Sequence, residues 1–232
     1  MQRPNNSRPI ITHTNPKSPI SETFRTLRTN IDFSSVDEQI RVIMLTSAGP
    51  GEGKSTTASN LAVAYAQSDK KVLVIDADLR KPTMHHTFMK TNRWGLSNVV
   101  SGQSAPVEVI VETHVHNLFL MPSGPVPPNP SEMLASKRMT AMLEELKESF
   151  DVIIIDTPPA LAVTDAQVVA TKVDGVLIVI DYGKVKREAA MKVKANLQHV
   201  NARMLGVVIN NVNRKNGEGY YYYYYGNDQS AK

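Results

Sequence analysis

Short apolar runs recur along the chain at residues 41–46, 71–75, 117–121, 152–155, 175–180 and 205–209, each bounded by polar residues. Between most of them lie stretches with a helical pattern, at 54–67, 131–150 and 185–200, and a further helix is predicted ahead of the first run at 20–33. In that first helix Ile20, Phe24, Leu27 and Ile31 recur at three- and four-residue steps, Ser18 or Ser21 suits the cap, and Pro19 suits an early position. Apolar runs of this length fit strands covered on both faces. Strands alternating with helices predict an α/β fold, a doubly wound and mainly parallel sheet with helices on both sides. No repeat interrupts the alternation. Residues 1–19 read as an irregular, flexible arm, 20–212 as one folded domain, and 213–232 as a flexible tail. The segment 121–130, MPSGPVPPNP, reads as a rigid crossover, because proline blocks helix and ladder hydrogen bonds.

Chemistry enters between the first run and the helix that follows it. Ala48, Gly49, Pro50, Gly51, Glu52, Gly53, Lys54 and Ser55 join strand to helix, with Thr56 next in the helix. This is the context the P-loop pattern requires, with Ala48 where that pattern often has glycine, and it narrows the fold to the P-loop NTPase type. Glycines let the backbone approach phosphate closely, and successive N–H groups at a helix N-terminus form an anion-binding concavity. Lys54 is placed to reach the β- and γ-phosphates of ATP, and the Ser55 hydroxyl to ligate Mg²⁺.

Two other runs end in acid. The run at 71–75 leads into Asp76-Ala77-Asp78-Leu79-Arg80, and that at 152–155 into Asp156-Thr157-Pro158-Pro159. In a doubly wound sheet the carboxyl ends of parallel strands line the ligand crevice, so both acidic clusters converge on the phosphate loop. Asp156 is the expected Mg²⁺ residue, directly or through water. On a continuing strand Asp76 and Asp78 would face the same side, one to help hold the metal and the other to accept a hydroxyl proton. Arg80 reads either as an orienting or charge-stabilising group or as a surface cation.

Composition alters this picture little. The 232 residues contain no cysteine, which removes disulfides, thiolate metal sites and cysteine nucleophiles. The net charge of +4 weakly favours an anionic partner. The N-terminus has no apolar core of a secretory signal, and the apolar runs are too short to span a bilayer, so a role at a membrane calls for a partner that holds the protein there. The tail carries Tyr220, Tyr221, Tyr222, Tyr223, Tyr224 and Tyr225 without interruption, flanked by Gly219 and Gly226. Their contiguity lacks the alternation of a half-buried strand.

Taken together, the loop ending Gly53-Lys54-Ser55, the strand end Asp76-x-Asp78-x-Arg80, the strand end Asp156-Thr157-Pro158, the tyrosine cluster and the triplet Glu22-x-x-Arg25-x-x-Arg28 resemble the bacterial tyrosine kinase family linked to capsule and exopolysaccharide synthesis, over about residues 17–226. The resemblance implies an ATP- and Mg²⁺-dependent protein-tyrosine kinase. Lys54 would hold the phosphates, Ser55, Asp78 and Asp156 would serve the metal, and Asp76 would be the base towards a tyrosine hydroxyl. Asn210, after the last run, falls where related folds often contact adenine, or else serves as a turn residue. Residues 220–225 would be phosphoacceptors. Glu22, Arg25 and Arg28 would join subunits of a homo-oligomeric ring in which one subunit's tail enters a neighbour's site. The cytoplasmic tail of a separate membrane protein would activate the kinase and recruit it to the inner face of the membrane. Protein tyrosines are the expected substrates, and no nucleic acid is expected.

Two rival readings use the same loop. A partitioning-type ATPase switch commonly carries an additional lysine early in the loop, where Ala48 stands here, and lacks a tyrosine tail. A nucleotide-loaded scaffold would turn over little ATP, and the basic helix bearing Lys184, Lys186, Arg187, Lys192 and Lys194 would then touch acidic lipid or a partner.

Overall fold

The computed structural model describes residues 10–35 and 39–212. A short helix α1 (Ile11–Thr14) and a long one, α2 (Pro19–Asp32), precede the sheet. Then follow β1 (Val42–Ser47), α3 (Lys54–Ala66), β2 (Val72–Asp76), α4 (Met84–Thr87), α5 (Leu96–Ser101), α6 (Pro106–Val109), β3 (Val111–Glu112) and β4 (Leu118–Met121). The second half comprises α7 (Pro130–Ala135), α8 (Lys137–Ser149), β5 (Val152–Asp156), α9 (Asp165–Ala170), β6 (Gly175–Asp181), α10 (Arg187–His199) and β7 (Met204–Asn210).

The seven strands stand in the order β3-β4-β2-β5-β1-β6-β7. Every pairing is parallel except the two-residue β3 against β4. The central strands bury both faces, and successive residues serve different cores. Met44, Leu73, Ile75, Ile153 and Ile155 pack in one cluster with residues of α5, α8, α9 and α10. Ile43, Leu45, Val72, Val74 and Ile154 pack in the other with α3 and its neighbours. This explains why the strands read as unbroken apolar runs. Helix α3 is buried along nearly its whole length between the sheet and α2, and its alanines allow that close approach.

The arm expected over residues 1–19 is corrected in its second half. Thr12 is fully buried, and its backbone N–H and hydroxyl both donate to Asn60 Oδ1 at 2.9 Å. Gln67 Nε2 returns a bond to Thr12 O at 2.9 Å. Ser18 caps α2 by accepting from Ser21 N at 3.0 Å, with Pro19 in the first turn. The single helix expected over 131–150 is two, because the Ser136 hydroxyl accepts from Met139 N at 3.2 Å and starts α8 afresh. Among the described residues no helix is long and apolar enough to cross a membrane.

Candidate functional site

The carboxyl edge of the sheet carries the site. The chain leaves β1 through residues 48–53 and enters α3 at Lys54, with Gly53 in the left-handed region at φ 93°. A side chain there would be strained, and its Cβ would lie 2.1 Å from Asn210 Nδ2. Asn210 donates from that nitrogen to Glu52 O at 3.1 Å, so the end of β7 clamps the loop from outside. Glu52 turns inward. Its carboxylate accepts from Gly49 N and, at 3.4 Å, from Ala48 N. Burial raises the Glu52 carboxyl, while these amides pull it back down. Glu52 therefore braces the loop through its side chain, and its place in a phosphate-binding pattern does not reveal that. Pro50, Gly51, Gly53, Lys54, Ser55 and Thr56 line an adjacent cleft of about 520 Å³.

The acids converge on Lys54. Its Nζ lies 3.3 Å from Asp78 Oδ2 and 3.3 Å from both oxygens of Asp156. Ser55 Oγ donates to Asp156 Oδ2 at 2.6 Å. Burial works against the Lys54 ammonium, but Asp156, Asp78 and Asp76 together hold its pKa above the usual lysine range. Burial likewise raises the Asp156 carboxyl, against the pull of Lys54 and Ser55. Asp76 is pushed up to about 7, first by burial and then by the charge of Asp156.

The expectation that Asp76 and Asp78 face the same side is corrected, because the strand does not continue past Asp76. Asp76 Oδ2 accepts from Thr83 N at 3.0 Å and Met84 N at 2.9 Å, and Oδ1 accepts from Asp78 N at 3.2 Å. The Asp76 side chain is thus sealed beneath the start of α4, fully inaccessible. Asp78 lines the cleft instead, and its Oδ1 accepts from Lys81 N at 3.0 Å.

Could this donor set hold a metal? Among the described residues no three carboxylates or imidazoles form a cage. A hydroxyl, Ser55, and two carboxylates, Asp78 and Asp156, gather round one cation, the Lys54 ammonium. Mg²⁺ commonly takes one or two carboxylates and completes its shell with phosphate oxygens and water, so the set fits Mg²⁺ arriving with a nucleotide.

A second acid–base contact borders the cleft. Arg80 donates from Nε to Asp165 Oδ2 and from Nη2 to Asp165 Oδ1, both at 2.9 Å. Ser131 Oγ also donates to Asp165 Oδ1, and Arg80 Nη2 reaches Ser131 Oγ at 3.2 Å. The hydrogen bond to Asp165 raises the Arg80 pKa. Asp165 and Ser131 escaped sequence reasoning, since an acid opening a short helix looks like an ordinary first-turn residue.

Known proteins resemble the chain over most of its length. Residues 40–209 match the family model described as an AAA domain. The tyrosine-protein kinase YwqD of Bacillus subtilis is 48% identical over 203 residues, covering 88% of this chain and 86% of that protein. The chain belongs to the bacterial tyrosine kinase family. Among solved structures of the family, the chimerical protein CapA2B2 superposes with a TM-score of 0.83 at 42% identity, covering 86% of this chain and 88% of that one. The kinase domain of Escherichia coli tyrosine kinase ETK gives 0.84 at 34% identity, covering 95% and 88%. The mixed α/β sheet of these kinases is the fold described above.

The remaining residues singled out for the family stand apart from the cleft. On α2, Arg25 Nη1 pairs with Glu22 Oε2 at 2.8 Å, and Arg25 Nη2 donates to Pro16 O at 2.7 Å. Arg28 Nη1 donates to Ala64 O at 2.7 Å, near the carboxyl end of α3. Glu22 is exposed and both arginines are half-buried. The expected phosphoacceptors, residues 220–225, lie outside the described residues.

Proposed function

We propose that the protein is an ATP- and Mg²⁺-dependent protein-tyrosine kinase that phosphorylates residues 220–225 of its own kind and thereby regulates capsular or exopolysaccharide synthesis. The observation that carries this reading is the convergence of Lys54, Ser55, Asp78 and Asp156 on one cleft beside the phosphate loop. Bound Mg²⁺ would neutralise charge on the β- and γ-phosphate oxygens. Lys54 would turn from Asp78 and Asp156 to the phosphates of a bound nucleotide, and the first amides of α3 would hold them. Asp156, with Ser55, would hold the metal. Asp78, which lines the cleft, is better placed than the sealed Asp76 to take the proton of an incoming tyrosine hydroxyl. Asp76 stands behind it and orients Asp78 through the amide it accepts.

Transfer occurs in trans within a ring whose contacts include Glu22, Arg25 and Arg28, and a neighbour's tail supplies the acceptors. The ring works at the inner face of the membrane, held by the cytoplasmic tail of a separate activator. Each phosphate adds about −1.5 to −2 charges, so a fully modified tail repels its neighbours and loosens the ring.

Intact-mass spectrometry after incubation with ATP–Mg²⁺ tests the reading on the wild type, Lys54→Met and a chain truncated after Gly219. Phosphate additions confined to residues 220–225 and absent from Lys54→Met are expected. Release of ADP without protein phosphorylation, with activator tail present or absent, would replace the kinase with an ATPase switch.

A further inference from the structure

Asp165 is fully buried, and Arg80 holds it with two parallel bonds of 2.9 Å. Ser131 is its third partner. These side chains come from three separate parts of the chain: the loop after β2, the start of α9 beyond the loop after β5, and the start of α7 beyond the proline-rich crossover. The loops after β2 and β5 both line the nucleotide cleft, the first with Asp78 and Arg80 and the second with Pro158 and Pro159. A buried carboxylate is a poor way to add stability, since a well-packed apolar residue usually does as well. It does fix direction, because a planar guanidinium gripped by two bonds cannot rotate. The grip uses Nε and Nη2, and among the described residues it leaves both hydrogens of Nη1 unengaged. The Arg80 side chain remains 39% exposed at the cleft.

We propose that Asp165 is a positioning residue for phosphoryl transfer, holding Arg80 so that its open edge meets the phosphoryl group on its way to the acceptor. The inference rests on the kinase reading above. In the step it serves, the bond from the γ-phosphorus to the ADP oxygen breaks and a bond to the tyrosine oxygen forms. The hydroxyl proton passes to Asp78, and ADP leaves with the bonding pair. Arg80 neutralises charge on the transferring oxygens without exchanging a proton. Arg80 contributes to transfer more than to the grip on ATP, which belongs to the phosphate loop.

The test uses the full chain and compares wild type, Asp165→Asn, Arg80→Lys and the double variant, with Asp165→Glu as the conservative change. Arg80→Lys keeps a cation against Asp165 but loses the fork, so the buried carboxylate stays paired and the chain stays folded. Single-turnover tyrosine phosphorylation is measured well below each variant's Tm, and affinity for a fluorescent ATP analogue in parallel. Both single substitutions should slow transfer about tenfold or more and leave nucleotide affinity within about twofold. The double variant should be no slower than the worse single one, because both act through one guanidinium. Asp165→Glu should recover part of the rate. Transfer at the wild-type rate in Asp165→Asn, nucleotide affinity lost in step with rate, or additive effects in the double variant would each overturn the proposal. A wild type that forms no phosphotyrosine in the same assay would instead refute the kinase reading.

Discussion

At the ends of β2 and β5, Asp76 and Asp156 are fully buried and burial raises both carboxyls, whereas at the end of β6 the carboxyl of Asp181 is held below its ordinary range. All three aspartates close parallel strands on the same edge of one sheet, and all are shielded from solvent. The difference is the number of partners per charge. Asp181 has its own cation, Lys184, at 2.6 Å, and an amide from Asn211 at 2.9 Å. Asp76, Asp78 and Asp156 share the single ammonium of Lys54. The β6 end is electrostatically complete as folded. The β2 and β5 ends carry surplus negative charge, which a buried site tolerates only if a cation is brought to it. Lys54 fills that place in the structure.

The largest expected effect follows from removing the shared cation. Lys54→Met should abolish tyrosine phosphorylation and leave a cluster of buried carboxylates uncompensated. Breaking a buried pair in this way costs about 3–5 kcal/mol. In chelator the Tm should fall accordingly, and Mg²⁺ alone should restore much of it, since the carboxylates are no longer occupied by an ammonium. The wild-type Tm should barely respond to Mg²⁺ without nucleotide. Scanning calorimetry in chelator and in Mg²⁺ decides the matter. Equal responses of the two proteins would mean that Lys54 does not stand in for the metal.

The intermediate effect is a pH dependence of opposite sign at the two ends. Asp76 has a folded pKa of about 7 against an ordinary 3.8, so between these values the folded state binds more protons than the unfolded one. Stability from this group is therefore greatest at the acid end and falls as pH rises towards 7. Asp156, raised in the same direction, adds to the slope. Asp181 does the reverse, contributing above its ordinary value and losing that contribution as pH falls. For the nucleotide-free protein, Tm measured between about pH 4 and 7 should carry a falling component that Asp76→Asn reduces. ATP–Mg²⁺ should flatten the same component by neutralising the cluster. A slope indifferent to both would place the raised carboxyl elsewhere.

These contrasts mark what the sequence could convey. Six of the seven strands were legible, the inner ones because both faces are buried and β7 because its edge position still carries an apolar run, exposed at Val207 and Ile209, and their ends fell within a residue or two of the apolar runs. β3 was not, since two residues at a sheet edge, one half-buried and one exposed, carry no period. Lys54, Ser55 and Asp156 were legible because the loop and the strand end fix their direction locally. The parting of Asp76 and Asp78 was hidden, because it depends on amides of Thr83 and Met84 that return from beyond the strand. Asp165 and Thr12 were hidden for the same reason on a longer scale, their partners lying 85 and 48 residues away in the chain. The serine that divides the helix over 131–150 is ordinary in composition, and only its bond to Met139 N makes it a cap. Local chemistry was readable, while direction imposed by a distant partner was not.

The smallest effect sharpens the comparison from the other side. Asp181→Asn removes a carboxylate whose cation is 74% exposed, and such pairs contribute little. Its Tm should fall by about one or two degrees at neutral pH, less in high salt, and the difference should shrink as the wild-type carboxyl is protonated. Tyrosine phosphorylation should stay within about twofold of wild type. One link to the site exists, because the charge of Asp181 raises the carboxyl of Glu52, while the Asp181 backbone bond to Glu52 lowers it. The substitution removes the repulsion and keeps the backbone bond, so the brace under Gly49 should hold its charge at least as well as before. Nucleotide affinity should therefore be unchanged or slightly improved. A loss of transfer rate as deep as that in Lys54→Met, measured on folded protein, would make the β6 end part of the phosphoryl-transfer centre and erase the distinction between the two ends.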